Sequence, residues 1–313
     1  KKADFKQIGA RFRIDPVTAR IIRNRGIEGE AAIDRYLNGT LDDLYDPMLL
    51  KDMERAVSIL CEAVDTGKKI RIVGDYDIDG VCSTYILLQA FERLGSDVDF
   101  EIPDRIKDGY GINESIIEQA HADGVEVILT CDNGISAFHQ VELAKKYGMT
   151  VVITDHHEVP LDGEKEKIPP ADAVIDPKQA DCPYPFPEIC GAVVAYKLVQ
   201  VLYARRGVPQ MEWLDLLEFA AIATVGDVMK LQDENRILVK YGLKKMAQTK
   251  NLGLRRLAEK NNLDLGAITA YHIGFVIGPC LNAGGRLKTA KEALALLRAQ
   301  SEEEAERLAE ELK

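Results

Sequence analysis

The sequence predicts an α/β fold in which a doubly wound, mainly parallel sheet of about five strands is flanked by helices and followed by a helical subdomain. From residue 70 to residue 154, short β-branched runs alternate with helical stretches, which indicates parallel strands joined by right-handed crossovers. The strands are apolar along their whole length, as is typical of a sheet covered on both faces. At 313 residues, the chain is long enough for one large domain or two smaller ones.

The elements follow in order along the chain. Residues 1–65 are predicted to be helical, since Asp15-Pro16 and Asp46-Pro47 each have an N-cap residue followed by proline at the first helical position. The predicted strands are residues 70–74, 98–102, 125–131, 150–154 and 173–175, and the helices between them are residues 80–94, 113–122 and 136–147. A proline-rich stretch, residues 158–187, predicts a loop-rich connection.

The remainder of the chain has a helical pattern. The predicted helices are residues 188–206, 211–225, 234–248, 288–298 and 301–313. The last one begins with a helix-start signature at Ser301 and has no capping glycine, so we expect it to begin a linker to a further C-terminal domain. The expected organisation is an N-terminal helical segment (1–65), an α/β metal-binding domain (66–187) and a helical part (188–313).

The composition narrows the class of protein. No apolar run approaches the roughly 20 residues that a membrane span needs, and the start of the chain lacks the apolar core of a signal peptide. The net charge of −11 argues against a simple nucleic-acid coating protein. None of the six cysteines forms a Cys-x-x-Cys pair, so we expect reduced thiols in a cytoplasmic protein without membrane contact.

Acidic and histidine side chains cluster directly after three of the predicted strands. Residues 74–80 (Gly-Asp-Tyr-Asp-Ile-Asp-Gly) follow the first strand, residues 132–134 (Asp-Asn-Gly) the third, and residues 155–157 (Asp-His-His) the fourth. Taken alone, such clusters are also typical of acidic turns and helix caps. Because the carboxyl ends of parallel strands share one edge of a sheet, we expect the three clusters to converge there. Asp227, after the predicted helix 211–225, is a further candidate.

The chemistry of these residues predicts a metal site. Carboxylate oxygens beside imidazole nitrogen suit a divalent transition metal such as manganese. The candidate ligands suffice for two ions, and paired ions roughly 3.5–4 Å apart are typical of enzymes that cleave phosphate esters. An EF-hand calcium loop begins with the same Asp-x-Asp-x-Asp-Gly pattern. It also needs a bidentate glutamate, and Ile86 occupies that position.

As a set, these motifs resemble those of the DHH phosphoesterase superfamily, and within it the RecJ single-strand-specific exonucleases. The stretches similar to the four metal-site motifs are residues 74–80, Asp132, residues 155–157 and Asp227, in chain order. Residues 103–111 (Pro-Asp-Arg-Ile-Lys-Asp-Gly-Tyr-Gly) are similar to the RecJ loop after the second strand. Residues 281–287 (Leu-Asn-Ala-Gly-Gly-Arg-Leu) resemble the substrate-binding Asn-Ala-x-Gly-Arg segment. The resemblance covers essentially the whole chain.

The resemblance implies metal-dependent removal of nucleotides from the 5′ end of single-stranded DNA, which releases 5′-mononucleotides in DNA repair and recombination. It implies two Mn²⁺ or Mg²⁺ ions. One ion would be held by Asp79, Asp132, His156 and Asp227, and the other by Asp75, Asp77 and a bridging Asp132. Asp132 and His157 would be catalytic, with His157 near the scissile phosphate or orienting a ligand. A single-strand-binding protein and a helicase are the implied protein partners.

The implied substrate-binding residues are Arg105, Tyr110, Asn282, Gly284, Gly285 and Arg286. Here the glycines permit close backbone approach, and arginine can bind phosphate with two hydrogen bonds. The chain departs from the family pattern at Cys280, where many relatives have arginine, and at Gly284, where alanine is common. Two other functions remain open at this point: a phosphodiesterase of short oligonucleotides or cyclic dinucleotides, and an inactive Cdc45-like replication scaffold.

Overall fold

The structure, a computed structural model, describes residues 4–103, 111–282 and 290–313. Its strands are β1 Ile70–Val73, β2 Val98–Glu101, β3 Val127–Cys131, β4 Thr150–Thr154, β5 Leu161–Asp162, β6 Lys165–Glu166 and β7 Ala173–Ile175. Five of them form one parallel sheet in the order β2-β1-β3-β4-β7, which confirms the predicted sheet. The other two, β5 and β6, form a small antiparallel hairpin inside the proline-rich connection.

Helices surround this sheet. Before it and between its strands, the helices are α1 Phe5–Phe12, α2 Pro16–Asn24, α3 Glu30–Asn38, α4 Met53–Asp65, α5 Ile78–Arg93, α6 Glu114–Ala122 and α7 Phe138–Lys146. After it, they are α8 Gly191–Arg205, α9 Gln210–Leu214, α10 Leu217–Gly226, α11 Asp233–Met246, α12 Leu252–Lys260, α13 Ala270–His272, α14 Gly278–Asn282, α15 Ala290–Arg298 and α16 Glu302–Leu312. Short 3₁₀ turns occupy Leu41–Asp43, Pro47–Leu49 and Leu265–Ala267, and Ile273–Ile277 is a π-helical turn.

Most predicted helices are present, with ends shifted by one to a few residues. The predicted single helix over residues 211–225 is wrong, because the chain breaks into α9 and α10 around Asp215. The Asp215 carboxylate forms ion pairs with Lys245 and Lys250 of a neighbouring segment, which fixes the chain at the break. Sequence reasoning also missed α12, whose N-cap Asn251 accepts a hydrogen bond from the amide of Leu254.

Alternate residues of the central strands bury their side chains in two separate apolar clusters, one on each face of the sheet. In β3, Leu129 packs with the cluster that contains α5, α8 and α10, whereas Ile128 packs with the cluster of α6 and α7. This two-sided burial explains why the strands read as continuous apolar runs. Within the described parts of the chain, no helix has the length and apolarity to cross a bilayer. All six cysteines are free thiols, as expected.

A buried ion pair joins the helical part to the N-terminal segment. Lys197 of α8 and Glu234 of α11 lie 3.1 Å apart, and their side chains are 1% and 0% exposed. Tyr184 donates a hydrogen bond to the same carboxylate, and the Lys197 ammonium donates to the carbonyl of Tyr45 at 3.0 Å. A charge buried this deeply is tolerated only when its partner remains in place.

Replacing Glu234 with Ala should therefore destabilise the protein strongly, because Lys197 would remain as an uncompensated buried charge. We expect a loss of about 3–5 kcal/mol in the free energy of unfolding, measured by urea denaturation. The double variant Lys197→Met/Glu234→Leu should recover most of this loss. A loss below about 0.5 kcal/mol, as expected for the exposed control Glu303→Ala, would contradict the assignment.

Candidate metal centre

The site begins where β1 turns into α5. Asp77 is the N-cap of α5, and its carboxylate accepts hydrogen bonds from the amides of Asp79 and Gly80 at 2.9 and 3.0 Å. Gly80 is required here, because a Cβ atom would lie only 2.3 Å from the carbonyl oxygen of Asp75. Because of this close approach, Asp75 lies against the first turn of α5 and is only 1% exposed.

Asp79 is held by a helix that follows it by more than a hundred residues. Its two carboxylate oxygens accept hydrogen bonds from the amides of Gly191 and Ala192, at 2.7 and 2.8 Å, at the start of α8. Helix N-termini favour negative charge because their first amides have no partner within the helix. A Cβ atom on Gly191 would lie 2.7 Å from that of Asp132, so glycine also lets α8 approach the end of β3.

Asp132 directly follows β3 and has a left-handed backbone, with φ of 61°. For a residue other than glycine this conformation is strained, and such strain is often found at functional sites. The next residue, Asn133, stabilises the turn: its amide group donates to the carbonyls of Val73 and Cys131 at 3.0 and 2.9 Å. Its side-chain oxygen accepts from the amide of Ile112 at 3.2 Å. Asn133 therefore ties β1 and β3 together beneath Asp132.

His156 lies at the centre of the cluster. Its Nε2 atom is 3.1 Å from Asp132 Oδ1, 3.4 Å from Asp79 Oδ2 and 3.8 Å from Asp227 Oδ2. Burial lowers the pKa of His156 below its usual value, against the opposing charges of the carboxylates. A neutral imidazole is the form that can bind a metal ion.

Asp155 orients the second histidine instead of joining the cluster. Its Oδ1 accepts from His157 Nδ1 at 2.7 Å and from the backbone amide of His156 at 2.8 Å, while its Oδ2 accepts from the amide of Ile135 at 2.9 Å. Although burial opposes it, the hydrogen bond with His157 and the nearby charges lower the pKa of Asp155. The hydrogen bond between Asp155 and Nδ1 of His157 therefore fixes the orientation of the imidazole ring.

Three groups of side chains have ligand atoms within 4.8 Å of one another. They are Asp79, His156 and Asp227; Asp75, Asp77 and Asp132; and Asp132, His156 and His157. The first two groups contain all the residues predicted as metal ligands, and the third adds His157 as a further candidate ligand. Divalent cations with mixed oxygen and nitrogen ligands suit these donor sets.

Burial and the negative charges of neighbouring carboxylates raise the pKa values of several of these aspartates. Burial, followed by the charge of Asp77, raises the pKa of Asp75 to about 7. Burial and the charges of Asp79 and Asp77 likewise raise the pKa of Asp227 to about 7, and that of Asp132 rises well above its usual value. Among the described residues, Asp75 Oδ1 and His156 Nδ1 have no hydrogen-bond partner. Buried acceptors and like charges of this kind fit a bound cation.

Of the predicted substrate-binding residues, the structure places one near this cluster. Asn282, at the end of α14, accepts a hydrogen bond from the amide of Ile78 at 2.8 Å, beside the first turn of α5. The other predictions lie outside the described residues, so their placement stays a prediction: Arg105, Tyr110, Gly284, Gly285 and Arg286.

Sequence reasoning missed Asp176, which follows β7 at the same edge of the sheet. It is fully buried, and one of its oxygens accepts from the amide of Lys178 at 2.8 Å. Burial and the charge of Asp155 raise its pKa to about 7. The rule that points to the other clusters, an acidic residue directly after a parallel strand, also applies to Asp176.

The chain matches the family model for the N-terminal domain of the DHH family over residues 69–224. It therefore belongs to the DHH family. Within that family it is similar to the single-stranded-DNA-specific exonuclease RecJ, with 38% identity to that of Bacillus subtilis over 98% of this chain and 38% of the relative. The identity to RecJ of Escherichia coli is 36%, over 96% of this chain and 52% of the relative.

Solved RecJ structures show the same similarity. An exonuclease RecJ bound to manganese matches with a TM-score of 0.75 and 35% identity, over 84% of this chain and 65% of that one. RecJ of Thermus thermophilus in complex with Mn²⁺ matches with a TM-score of 0.81 and 31% identity, over 98% of this chain and 43% of that one. The chain thus spans about half, or less, of the length of these curated relatives.

Replacing Asp155 with Asn should lower the pKa of His157, which is raised to about 9. Burial opposes this raised pKa, and it is outweighed by the hydrogen bond and charge of Asp155 together with the charges of Asp79 and Asp227. Without the charge of Asp155, burial is less opposed, and we expect the imidazole to lose its proton about one pH unit lower. NMR titration of the histidine rings measures this, with the exposed His139 as an internal reference. An unchanged His157 titration would contradict the orienting role.

Proposed function

We propose that this chain is the catalytic part of a metal-dependent exonuclease that degrades single-stranded DNA from its 5′ end and releases 5′-mononucleotides. The observation that supports this most directly is the convergence of the Asp75–Asp77–Asp132 and Asp79–His156–Asp227 groups at one edge of the sheet. The relatives that match nearly the whole chain are named as single-stranded-DNA-specific exonucleases.

Two Mn²⁺ or Mg²⁺ ions are the proposed cofactors. Asp79, His156 and Asp227 would hold one ion, Asp75 and Asp77 the other, and Asp132 would contact both. Three observations support this assignment. The donor set is rich in oxygen, and the pKa values of Asp75 and Asp227 are raised. In addition, the buried Oδ1 of Asp75 has no hydrogen-bond partner among the described residues. When bound, such ions neutralise clustered carboxylates, polarise a phosphate ester and lower the pKa of a water molecule.

The chain's own residues would supply the positioning. The α8 amides fix Asp79, and the strained turn at Asp132 directs its carboxylate toward His156. Asp155 holds the half-exposed His157 ring by Nδ1, and in this orientation the ring would lie near the scissile phosphate or orient a metal ligand. Asn282 joins the segment with the predicted phosphate-binding residues to the first turn of α5.

Further parts of the proposal concern the whole protein. We propose the division into residues 1–65, 66–187 and 188–313 as its domain plan, followed by additional domains, since the relatives are longer. A single-strand-binding protein and a helicase are the proposed partners, because the relatives are named as single-stranded-DNA-specific exonucleases, and their substrate arises where duplexes are unwound. Free thiols in all six cysteines support a location in the reducing cytoplasm.

Replacing Asp132 with Ala should abolish the nuclease activity, because this residue belongs to two of the three ligand groups. We expect kcat on a 5′-labelled single strand with Mn²⁺ to fall at least ~10³-fold, which corresponds to several kcal/mol of transition-state stabilisation. The matched control is Asp97→Ala, which removes an exposed aspartate just before β2, at the opposite edge of the sheet. If the Asp132 variant kept its activity, the metal mechanism would be wrong.

Comparing substrates tests the class of phosphodiester. Wild-type protein with Mn²⁺ should degrade a long 5′-phosphorylated single strand faster than a linear or cyclic dinucleotide, and label at the 5′ end should appear first as mononucleotide. A preference for dinucleotides would favour the phosphodiesterase of short oligonucleotides. Mn²⁺ binding without hydrolysis of any of these substrates would favour an inactive scaffold.

A further inference from the structure

A cavity of about 540 Å³ lies between the distal half of α5, the start of α10 and the segment that joins α11 to α12. Its volume falls in the range of about 300–1,000 Å³ that is typical of small-molecule sites. Among the described residues, none of the candidate metal ligands lines it. Yet α5 and α10 contribute to both places, since α5 carries Asp79 and Tyr85, and α10 carries Glu218 and leads to Asp227.

The cavity contains a buried carboxylate with one satisfied oxygen. Glu218 is 3% exposed, and its Oε1 accepts a hydrogen bond from the hydroxyl of Thr249 at 2.6 Å. Its other oxygen, Oε2, is buried and has no hydrogen-bond partner within the described parts of the chain. Leaving such an acceptor unpaired costs about 1–3 kcal/mol, and more when it is charged, so the site favours a ligand that donates a hydrogen bond.

The charged side chains around the cavity indicate whether that ligand is a cation or an anion. Lys245 and Lys250 both pair with Asp215, at 2.5 and 3.1 Å, and Arg93 pairs with Glu212 at 2.5 Å. These basic side chains therefore have acidic partners other than Glu218. A cationic donor in the cavity would meet the buried carboxylate of Glu218 as an opposite charge, whereas an anion would face it as a like charge.

The other residues that line the cavity suit a ligand with an apolar or planar group. The rings of Tyr85 and Phe219 pack with their centroids 4.3 Å apart, and Leu216, Leu252 and Leu297 also line the cavity. The Tyr85 hydroxyl accepts a hydrogen bond from the side-chain Nδ2 of Asn251 at 3.0 Å, which fixes the ring. Aromatic faces also attract organic cations.

We propose that this cavity is a binding site for a small organic cation, which donates a hydrogen bond from its charged nitrogen to Glu218 and packs its apolar body against the side of Tyr85 and Phe219. The site is independent of the proposed nuclease activity, and binding alone tests it.

Calorimetric titration of the full chain with three compounds of the same shape tests the sign and the chemistry. Benzamidine is cationic, benzamide neutral and benzoate anionic. The titrations are run at pH 8 so that Glu218 is charged, because burial raises its pKa to about 7. Saturating Mg²⁺ is present so that it competes with the organic cation for the carboxylates of the metal centre. We expect benzamidine to bind at one site at least tenfold more tightly than benzamide, and benzoate not to bind. Equal affinity for all three, or no binding of benzamidine, would overturn the proposal.

Two variants locate the bound cation. Glu218→Gln should weaken benzamidine binding at least tenfold, and Gln89→Trp should block it by filling the cavity from α5 while leaving Glu218 intact. The control Glu303→Gln removes an exposed carboxylate of α16 and should bind like the wild type. Circular dichroism checks folding, and if Glu218→Gln does not fold, Gln89→Trp decides. Wild-type affinity in either folded cavity variant would show that the cation binds elsewhere.

Discussion

The hydrogen bonds from the start of α8 to Asp79 are the interaction on which the rest of the site depends. They bring residues 191–192 onto a carboxylate that the chain places after its first strand. The helix dipole of α8 stabilises the negative charge of Asp79, which lies close to several other carboxylates. Because α8 also packs against α5 and the sheet, the position of Asp79 is set by the core and not by a flexible loop.

Two kinds of buried carboxylate lie along the same edge of the sheet. Asp155 accepts hydrogen bonds from backbone amides and from His157, which lower its pKa although burial opposes this. Asp75 and Asp227 instead have raised pKa values, since burial and their neighbours disfavour the charged form. A carboxylate such as Asp155, whose charge already has hydrogen-bond partners, suits a structural role. Carboxylates such as Asp75 and Asp227 would have their charges neutralised by a bound cation, so we expect metal binding to stabilise this edge of the sheet.

Much of the architecture can be read from the chain, because parallel strands and their crossover helices leave strong periodic signals. The convergence of the clusters that follow β1, β3 and β4 is predicted from the βα alternation, because the carboxyl ends of parallel strands share one edge, whereas the place of β3 between β1 and β4 is not predicted. The break between α9 and α10 could not be predicted, because it is stabilised by ion pairs of Asp215 with residues that lie some thirty positions later. Local propensity does not report such distant contacts.

The sequence by itself determined the order of strands and helices along the chain, the edge of the sheet at which the candidate metal ligands lie and the residue types gathered there, since these depend on local patterns and on the rules of parallel sheets. Only the tertiary structure decided which atoms meet. It joined Asp79 to α8 and brought Asn282 to the first turn of α5. These contacts join residues far apart in the chain, so packing of the whole core fixes them, and no short motif encodes them.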